Sequence, residues 1–396
     1  MHRIHSFEKD SYIKDEPIII YGASVYGEIA YWALKTIGIK PDYFCDRASK
    51  SVAYFDIKIL KPEELVSYLH ANIIIASVDY FNDILKYLHS IGCDNIYDMS
   101  RLIQVDINVE ELTERARYKY DYGKQYIDIA NAARCADKLT FARLQYVVTE
   151  RCSLKCKDCS YLMQYYRKPQ NIDLDKYKHA FVKLLQHVGT ISDLRIIGGE
   201  PLMNPLMYKV IKWFHDDERI KTISVYTNGT IVPNSDNITY LKFSKVRVHV
   251  SQYEVNKERL KNVISCFDDN GIKYYVEPFI NWQKPGNLLK RNCSELENKT
   301  KFQRCYDSNG YSFYKDRLYR CPRSVHAISI GAMPDEVSEY VNFGDESISD
   351  AELENRVKAL MEMPYLATCD YCDGLDNHRQ SIEPAIQTNH VMSFEE

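Results

Sequence analysis

Thr149-Glu150-Arg151-Cys152-Ser153-Leu154-Lys155-Cys156-Lys157-Asp158-Cys159 sets three cysteines at C-x3-C-x2-C spacing, directly after the apolar run Gln145-Tyr146-Val147-Val148. No histidine lies among them, and a tetrahedral zinc site needs four ligands, usually drawn from two separate pairs. Three closely spaced thiolates suit a cubane iron–sulfur cluster in which one iron has no protein ligand and can chelate a small molecule. A zinc site completed by a distant residue is the competing reading of the spacing alone.

The sequence on either side of this loop alternates between strand and helix. Further strands are expected at Leu194-Arg195-Ile196-Ile197, Ile223-Ser224-Val225-Tyr226, Val246-Arg247-Val248-His249-Val250 and Tyr274-Tyr275-Val276. The clearest helix between them places Leu174, Tyr177, Phe181, Leu184, Leu185 and Val188 on one face. That pattern suits an open or partial (β/α) barrel, whose chemistry sits in loops at the carboxyl ends of the strands. The second such loop is Gly198-Gly199-Glu200-Pro201 and the third is Thr227-Asn228-Gly229. Two adjacent glycines let a backbone approach a ligand closely.

The three-cysteine loop, followed one βα unit later by Gly-Gly-Glu, resembles the radical S-adenosylmethionine family from about Leu144 to Pro278. The resemblance implies that Cys152, Cys156 and Cys159 ligate three irons of a [4Fe–4S] cluster whose fourth iron is chelated by S-adenosylmethionine. Gly198, Gly199 and Glu200 match the motif that contacts the methionine amino group, and Asn228 and Ser251 are further candidate cofactor contacts. Reduction by a low-potential donor such as flavodoxin or ferredoxin would yield a 5′-deoxyadenosyl radical that abstracts hydrogen from substrate. One residue departs from the family: the position before the third cysteine is commonly aromatic and here is Asp158, which leaves Tyr161 or another nearby aromatic to hold adenine.

Beyond Pro278 the sequence becomes turn-rich. Cys305 and Cys321 flank a hairpin-like segment, Tyr311 to Tyr319, and Cys369-Asp370-Tyr371-Cys372 forms a later C-x2-C pair. Four thiolates close either one cluster or one zinc site. The arrangement resembles the twitch domain, the shortened SPASM extension of radical S-adenosylmethionine enzymes, which implies an auxiliary [4Fe–4S] cluster on Cys305, Cys321, Cys369 and Cys372. Cys293 is the alternative fourth ligand. Cys45, Cys93 and Cys135 read as small buried hydrophobes. The layout is similar to that of aminocyclitol dehydrogenases, which implies an oxidoreductase.

The amino-terminal segment also alternates: strand Pro17–Tyr21, a helix through Ile29, Trp32, Ala33 and Ile37, strand Tyr43–Cys45, a helix opened by Pro62, strand Ile73–Ala76, a helix through Leu88, and strand Asn95–Tyr97. Gly22 to Gly27 with Asp46 about twenty residues on resembles a dinucleotide fingerprint without its middle glycine. The segment resembles the small Rossmann-like domains of nucleotide-sugar and surface-polysaccharide enzymes, which leaves a nucleotide site and a structural role both open. The expected α/β architecture is a small doubly wound Rossmann-like domain (1–105), a helical connector (106–140), a partial TIM-like barrel (141–290) and a cysteine-rich auxiliary domain (291–396).

Composition narrows the function class. A net charge of −4, with no basic run, gives no field for nucleic acid. No stretch reads as a signal peptide or is apolar enough to span a membrane. A cytoplasmic, reducing setting is expected, where twelve cysteines serve metal or redox chemistry more often than disulfides. The substrate expected is a small molecule, with a sugar, aminocyclitol or nucleotide-linked sugar favoured because a βαβ unit is unlike the winged-helix domain of many peptide-modifying relatives. Radical modification of a ribosomally made peptide and a non-enzymatic iron–sulfur electron carrier are the alternatives.

Overall fold

The computed structural model describes residues 4–121, 124–134, 138–376 and 379–395. Contacts divide the chain into two compact units, Met1–Ala142 and Arg143–Glu396.

The first unit is built on a sheet whose strand order is His5–Ser6, Ile96–Asp98, Asn72–Ile75, Ile18–Tyr21, Tyr43–Cys45, Ile57–Leu60 and Ala53–Tyr54. All neighbours are parallel except the last pair, a hairpin. Ile18, Ile19, Ile20 and Ile73, Ile74, Ile75 are buried on both faces of the sheet, as an all-apolar parallel strand requires. The strand Ile57–Leu60 was not expected, because Ile-Lys-Ile-Leu is too short to show a period. The helices Glu114–Asp121 and Lys124–Arg134, expected as a connector, contribute Ala116, Tyr126, Ile129 and Ala130 to this unit's core. The Tyr126 hydroxyl accepts from the Met99 N–H at 3.0 Å and donates to the Ile75 carbonyl, which ties the helix to the sheet. Cys45 and Cys93 are buried, and Cys135 lies outside the described residues.

The second unit has one larger sheet and a two-stranded one that pairs Trp282–Gln283 with Ser381–Ile382. In the larger sheet five strands stand in chain order: Leu139–Thr149, which enters this unit at Arg143, then Val188–Gly198, Ile220–Thr227, Val246–Gln252 and Tyr274–Pro278, the last four pairing in parallel. The second begins at Val188, six residues earlier than its apolar core suggests, since the Leu174–His187 helix runs into it without a loop. That helix is capped by the Asp173 carboxylate, which accepts from the Lys176 N–H, and buries Leu174, Ala180, Phe181, Leu184 and Leu185. Phe181 meets Tyr146, Phe214 and Phe313 edge-on at 4.9–5.0 Å, a geometry that adds to the stabilisation from apolar burial.

The cysteine-rich segment extends this sheet. Ser312–Tyr314 pairs in parallel with the first barrel strand, then pairs antiparallel with Arg317–Tyr319, which pairs with Tyr340–Asn342. Cys305 and Cys321, on either side of that hairpin, are thereby fixed to the strand that ends in the three-cysteine loop. Among the described residues no helix is long and apolar enough to cross a membrane.

Candidate radical site and a second thiol cavity

The three-cysteine loop leaves the first barrel strand at Thr149, whose hydroxyl accepts from the Arg151 N–H at 3.0 Å. The Gly-Gly-Glu loop lies directly against it. The Gly199 N–H donates to the Thr149 carbonyl at 3.1 Å, and the Glu200 N–H to the Arg151 carbonyl at 2.8 Å. A Cβ on Gly198 would sit 2.4 Å from the Thr149 oxygen; one on Gly199 would sit 2.4 Å from the Arg151 oxygen and 2.8 Å from the Cys152 Cβ. The glycines are therefore needed for the chain's own close approach, before any ligand is considered.

Cys152, Cys156 and Cys159 line one cavity of about 330 Å³ together with Gly198, Gly199, Asn228 and Ser251. Glu200 does not line it. Its fully buried carboxylate accepts from the Leu202 N–H at 3.1 Å, the Thr227 hydroxyl at 2.8 Å and the Asn228 N–H at 2.7 Å. It holds the second and third strand-end loops together rather than presenting an oxygen to a ligand. Burial raises its pKa to about 7, against the pull of those three donors. Asn228 is carried by this arrangement, and its amide N–H points to the Cys152 sulfur at 3.6 Å and the Ser153 hydroxyl at 3.1 Å.

The structure places several residues at this site that the sequence pattern did not single out. Gln387, far along the chain, forms a backbone bridge with Cys156 and donates its side-chain N–H to the Cys156 sulfur at 3.3 Å. Its carbonyl oxygen accepts from the Lys155 N–H at 2.7 Å, so the last segment is laid across the cysteine loop. Tyr253, Phe279 and Trp282 make an aromatic wall: Tyr253 stacks on Phe279 at 5.5 Å and meets Trp282 edge-on at 5.5 Å, and both Tyr253 and Trp282 pack near Cys152 and Cys159. Tyr161, which the sequence did offer as an adenine contact, also lines the cavity, where its hydroxyl accepts from Gln145 at 3.1 Å. Asp158 lines the cavity too.

Cys305, Cys321, Cys369 and Cys372 come together in a separate, largely apolar cavity of about 40 Å³. Cys305 ends the helix Glu295–Arg304, Cys321 precedes the helix Pro322–Ser329, Cys369 lies within the helical turn Ala367–Tyr371 and Cys372 directly follows it. Cys293 is not among the residues lining it. Its sulfur accepts from the Lys301 ammonium at 3.6 Å, and its N–H donates to the Asp370 carboxylate at 2.7 Å.

Both thiol sets fit a group that carries positive metal ions. Burial is the first cause that pushes up the thiol pKa values, Cys156, Cys305 and Cys369 to about 12, with Cys152, Cys159 and Cys321 also raised; a neighbouring thiol adds to it at all of these but Cys159, and the Asp307 carboxylate at Cys305 and Cys321. Crowded, buried thiols of this kind ionise only when a metal compensates them, and metal binding then releases their protons. Among the described residues no three His, Cys, Asp or Glu side chains close on a single-ion site; a cubane takes one thiolate per iron and needs no such convergence.

In the first unit, the residues expected of a dinucleotide fingerprint are turned inward. Asp46 accepts from the N–H groups of Ala23 at 2.9 Å, Ala48 at 2.7 Å and Ser49 at 2.9 Å, so the carboxylate that would meet a ribose pins its own loop. Gly22, at φ +127°, lies where a Cβ would strike the Ala76 oxygen at 2.5 Å.

Residues 146–269 match the Radical SAM superfamily model. The chain thus carries a radical SAM domain, and enzymes of that superfamily use a [4Fe–4S] cluster and S-adenosylmethionine. Among curated proteins it is similar to the GTP 3',8-cyclase of Petrotoga mobilis, 26% identical over 169 residues that cover 39% of this chain and 50% of the relative. The GTP 3',8-cyclase of Clostridium acetobutylicum is 35% identical over 94 residues, covering 23% of this chain and 28% of the relative. The chain thus spans half or less of the length of these relatives. The solved structure of BtrN in complex with AdoMet and 2-DOIA is matched at 16% identity and a TM-score of 0.39, over 65% of this chain and 100% of that one.

Proposed function

We propose that this radical SAM enzyme oxidises a sugar, an aminocyclitol or a nucleotide-linked sugar by hydrogen abstraction. In this reading Cys152, Cys156 and Cys159 hold the cluster that binds S-adenosylmethionine, and Cys305, Cys321, Cys369 and Cys372 hold an auxiliary [4Fe–4S] cluster. The observation that carries it is the pairing of a three-thiol cavity of about 330 Å³ with a four-thiol one of about 40 Å³. When bound, these groups supply the 5′-deoxyadenosyl radical that takes a hydrogen atom from substrate, and a place for the electron left behind.

The chain's own residues account for the rest of the site. The Gly198-Gly199 backbone and Asn228 face the cavity, while Glu200 fixes both loops from behind. Tyr253, Phe279 and Trp282 offer the apolar face that adenine needs where Asp158 replaces the usual aromatic. Gln145, Arg195 and Gln283 add hydrogen-bonding groups to the same cavity. Arg195 is held by its 2.7 Å bond to the Asp193 carboxylate and by the Tyr226 ring 5.2 Å away, which suits orienting a hydroxyl-rich molecule. The curated relatives, named for a reaction on GTP, support a nucleotide-bearing substrate over a peptide.

Anaerobic reconstitution followed by reduction with S-adenosylmethionine present tests the reading. About eight irons per chain and formation of 5′-deoxyadenosine are expected, and Cys152→Ala should abolish that product while keeping about four irons. Unchanged 5′-deoxyadenosine formation by Cys152→Ala overturns the assignment. Stimulation of 5′-deoxyadenosine formation by peptides, with none by sugars or nucleotide-sugars, overturns the substrate class alone.

A further inference from the structure

Arg323 follows Cys321 at the start of the helix Pro322–Ser329 and is about 94% buried, at 6% relative exposure. One of its terminal nitrogens, Nη2, donates to the carbonyls of Gly286 at 2.8 Å and Asn287 at 3.4 Å. Its Nε and Nη1 have no hydrogen-bond partner. The side chain lines the four-thiol cavity. A buried guanidinium with two unpartnered nitrogens is costly unless a negative charge faces it, because the ion has given up its hydration without replacement.

The other charges around that cavity are already engaged. The Lys301 ammonium donates to the Cys369 carbonyl at 2.6 Å and to the Cys293 sulfur at 3.6 Å. The Asp307 carboxylate stands 3.8 Å from the Arg143 guanidinium.

We infer that Arg323 is the counter-charge of the cluster held by Cys305, Cys321, Cys369 and Cys372, setting its reduction potential high enough to accept an electron. The inference rests on the auxiliary-cluster reading above. A cubane on four thiolates gains one unit of negative charge on reduction, so a fixed cation beside it stabilises the reduced form more than the oxidised form. Arg323 acts through charge and does not touch substrate.

The test uses the full-length Cys152→Ala protein, in which the quartet alone carries iron, and titrates its electron paramagnetic resonance signal against potential. Arg323→Gln in that background should lower the reduced-to-oxidised ratio at fixed potential about tenfold, a downward move of about 59 mV for a one-electron couple. Arg323→Lys, which keeps the charge, should stay close to the parent. An unmoved Arg323→Gln, or an Arg323→Lys that falls as far as Arg323→Gln, overturns the inference. Should Arg323→Gln fail to fold or to hold iron, Arg323→Lys decides alone: about four irons at the parent potential support the counter-charge, and loss of iron or a tenfold drop overturns it. Absence of iron from Cys152→Ala with Arg323 intact would instead refute the auxiliary cluster itself.

Discussion

The two thiol cavities differ in what they leave uncovered. The three-thiol cavity is about 330 Å³ and is walled by polar and aromatic side chains from several strand ends, whereas the four-thiol cavity is about 40 Å³ and mostly apolar. Three thiolates on a cubane leave an iron to bind a small molecule, and the first cavity has room for one. Four thiolates leave none, and the second cavity has no such room. Ligand number and free volume agree in each case with the proposed reading, in which the roomier site does the chemistry and the smaller one stores an electron.

Breaking the closed site should have the largest effect on that contrast. Cys369→Ala is expected to lose about four irons after reconstitution, yet still cleave S-adenosylmethionine at the three-cysteine site, while forming no oxidised product. Iron analysis and product quantification on one sample check this. Full product formation without those irons would remove the auxiliary cluster from the reaction.

Gly199→Ala attacks the open site without touching a thiol. The new Cβ would fall 2.4 Å from the Arg151 oxygen and 2.8 Å from the Cys152 Cβ, and backbone cannot yield as a flexible side chain can. The expected outcome is loss of iron from the three-cysteine site with the quartet's irons retained, a mirror image of Cys369→Ala. A fully loaded Gly199→Ala protein would show that the two loops can separate.

How far each site could be read from sequence follows from the range of its contacts. The C-x3-C-x2-C loop and the Gly-Gly-Glu turn are local, and their spacing and strand-end placement carried the family resemblance. The four later cysteines were legible as a set by count. That Cys293 stands apart was not, since it depends on the Lys301 side chain one helix turn pair away and on Asp370. Gln387 left no signal, because a backbone bridge across some 230 residues has no period and no motif. Glu200 shows the converse. The motif implied ligand contact, while the fold alone reveals that the carboxylate accepts from Leu202 of its own loop and from Thr227 and Asn228 of the next. In the first unit, similarly, the Gly22–Gly27 and Asp46 spacing was legible while the inward commitment of Asp46 was not.

Gln387→Leu should have a smaller effect than either loop variant. It keeps the side-chain bulk but removes the N–H that points at the Cys156 sulfur, and hydrogen bonds to cluster sulfurs raise the potential. Iron content should be unchanged, and the potential of the three-cysteine cluster should move down, read by potentiometric titration. No movement would mean that Gln387 serves only to hold the Lys155 backbone.

The smallest effect belongs to Glu200 and is read on the metal-free chain. Burial lifts its carboxyl pKa to about 7 from an ordinary value of 4.5. Between those two pH values the native state keeps a proton that the unfolded chain has released, so this group's contribution to stability is present below pH 4.5 and declines as pH rises toward 7. A gap of this size corresponds to up to about 3 kcal/mol, at about 1.36 kcal/mol per pH unit. Glu200→Gln cannot titrate, and its amide N–H₂ faces donors on at least one side, so it should be less stable than the parent at low pH. The difference should narrow as pH rises, because the parent loses stability that the variant never had. Urea unfolding at pH 5 and at pH 7.5 measures both; a difference that stays constant or widens would mean that the three donors hold Glu200 ionised throughout, and that the loop pair is fastened by a charge.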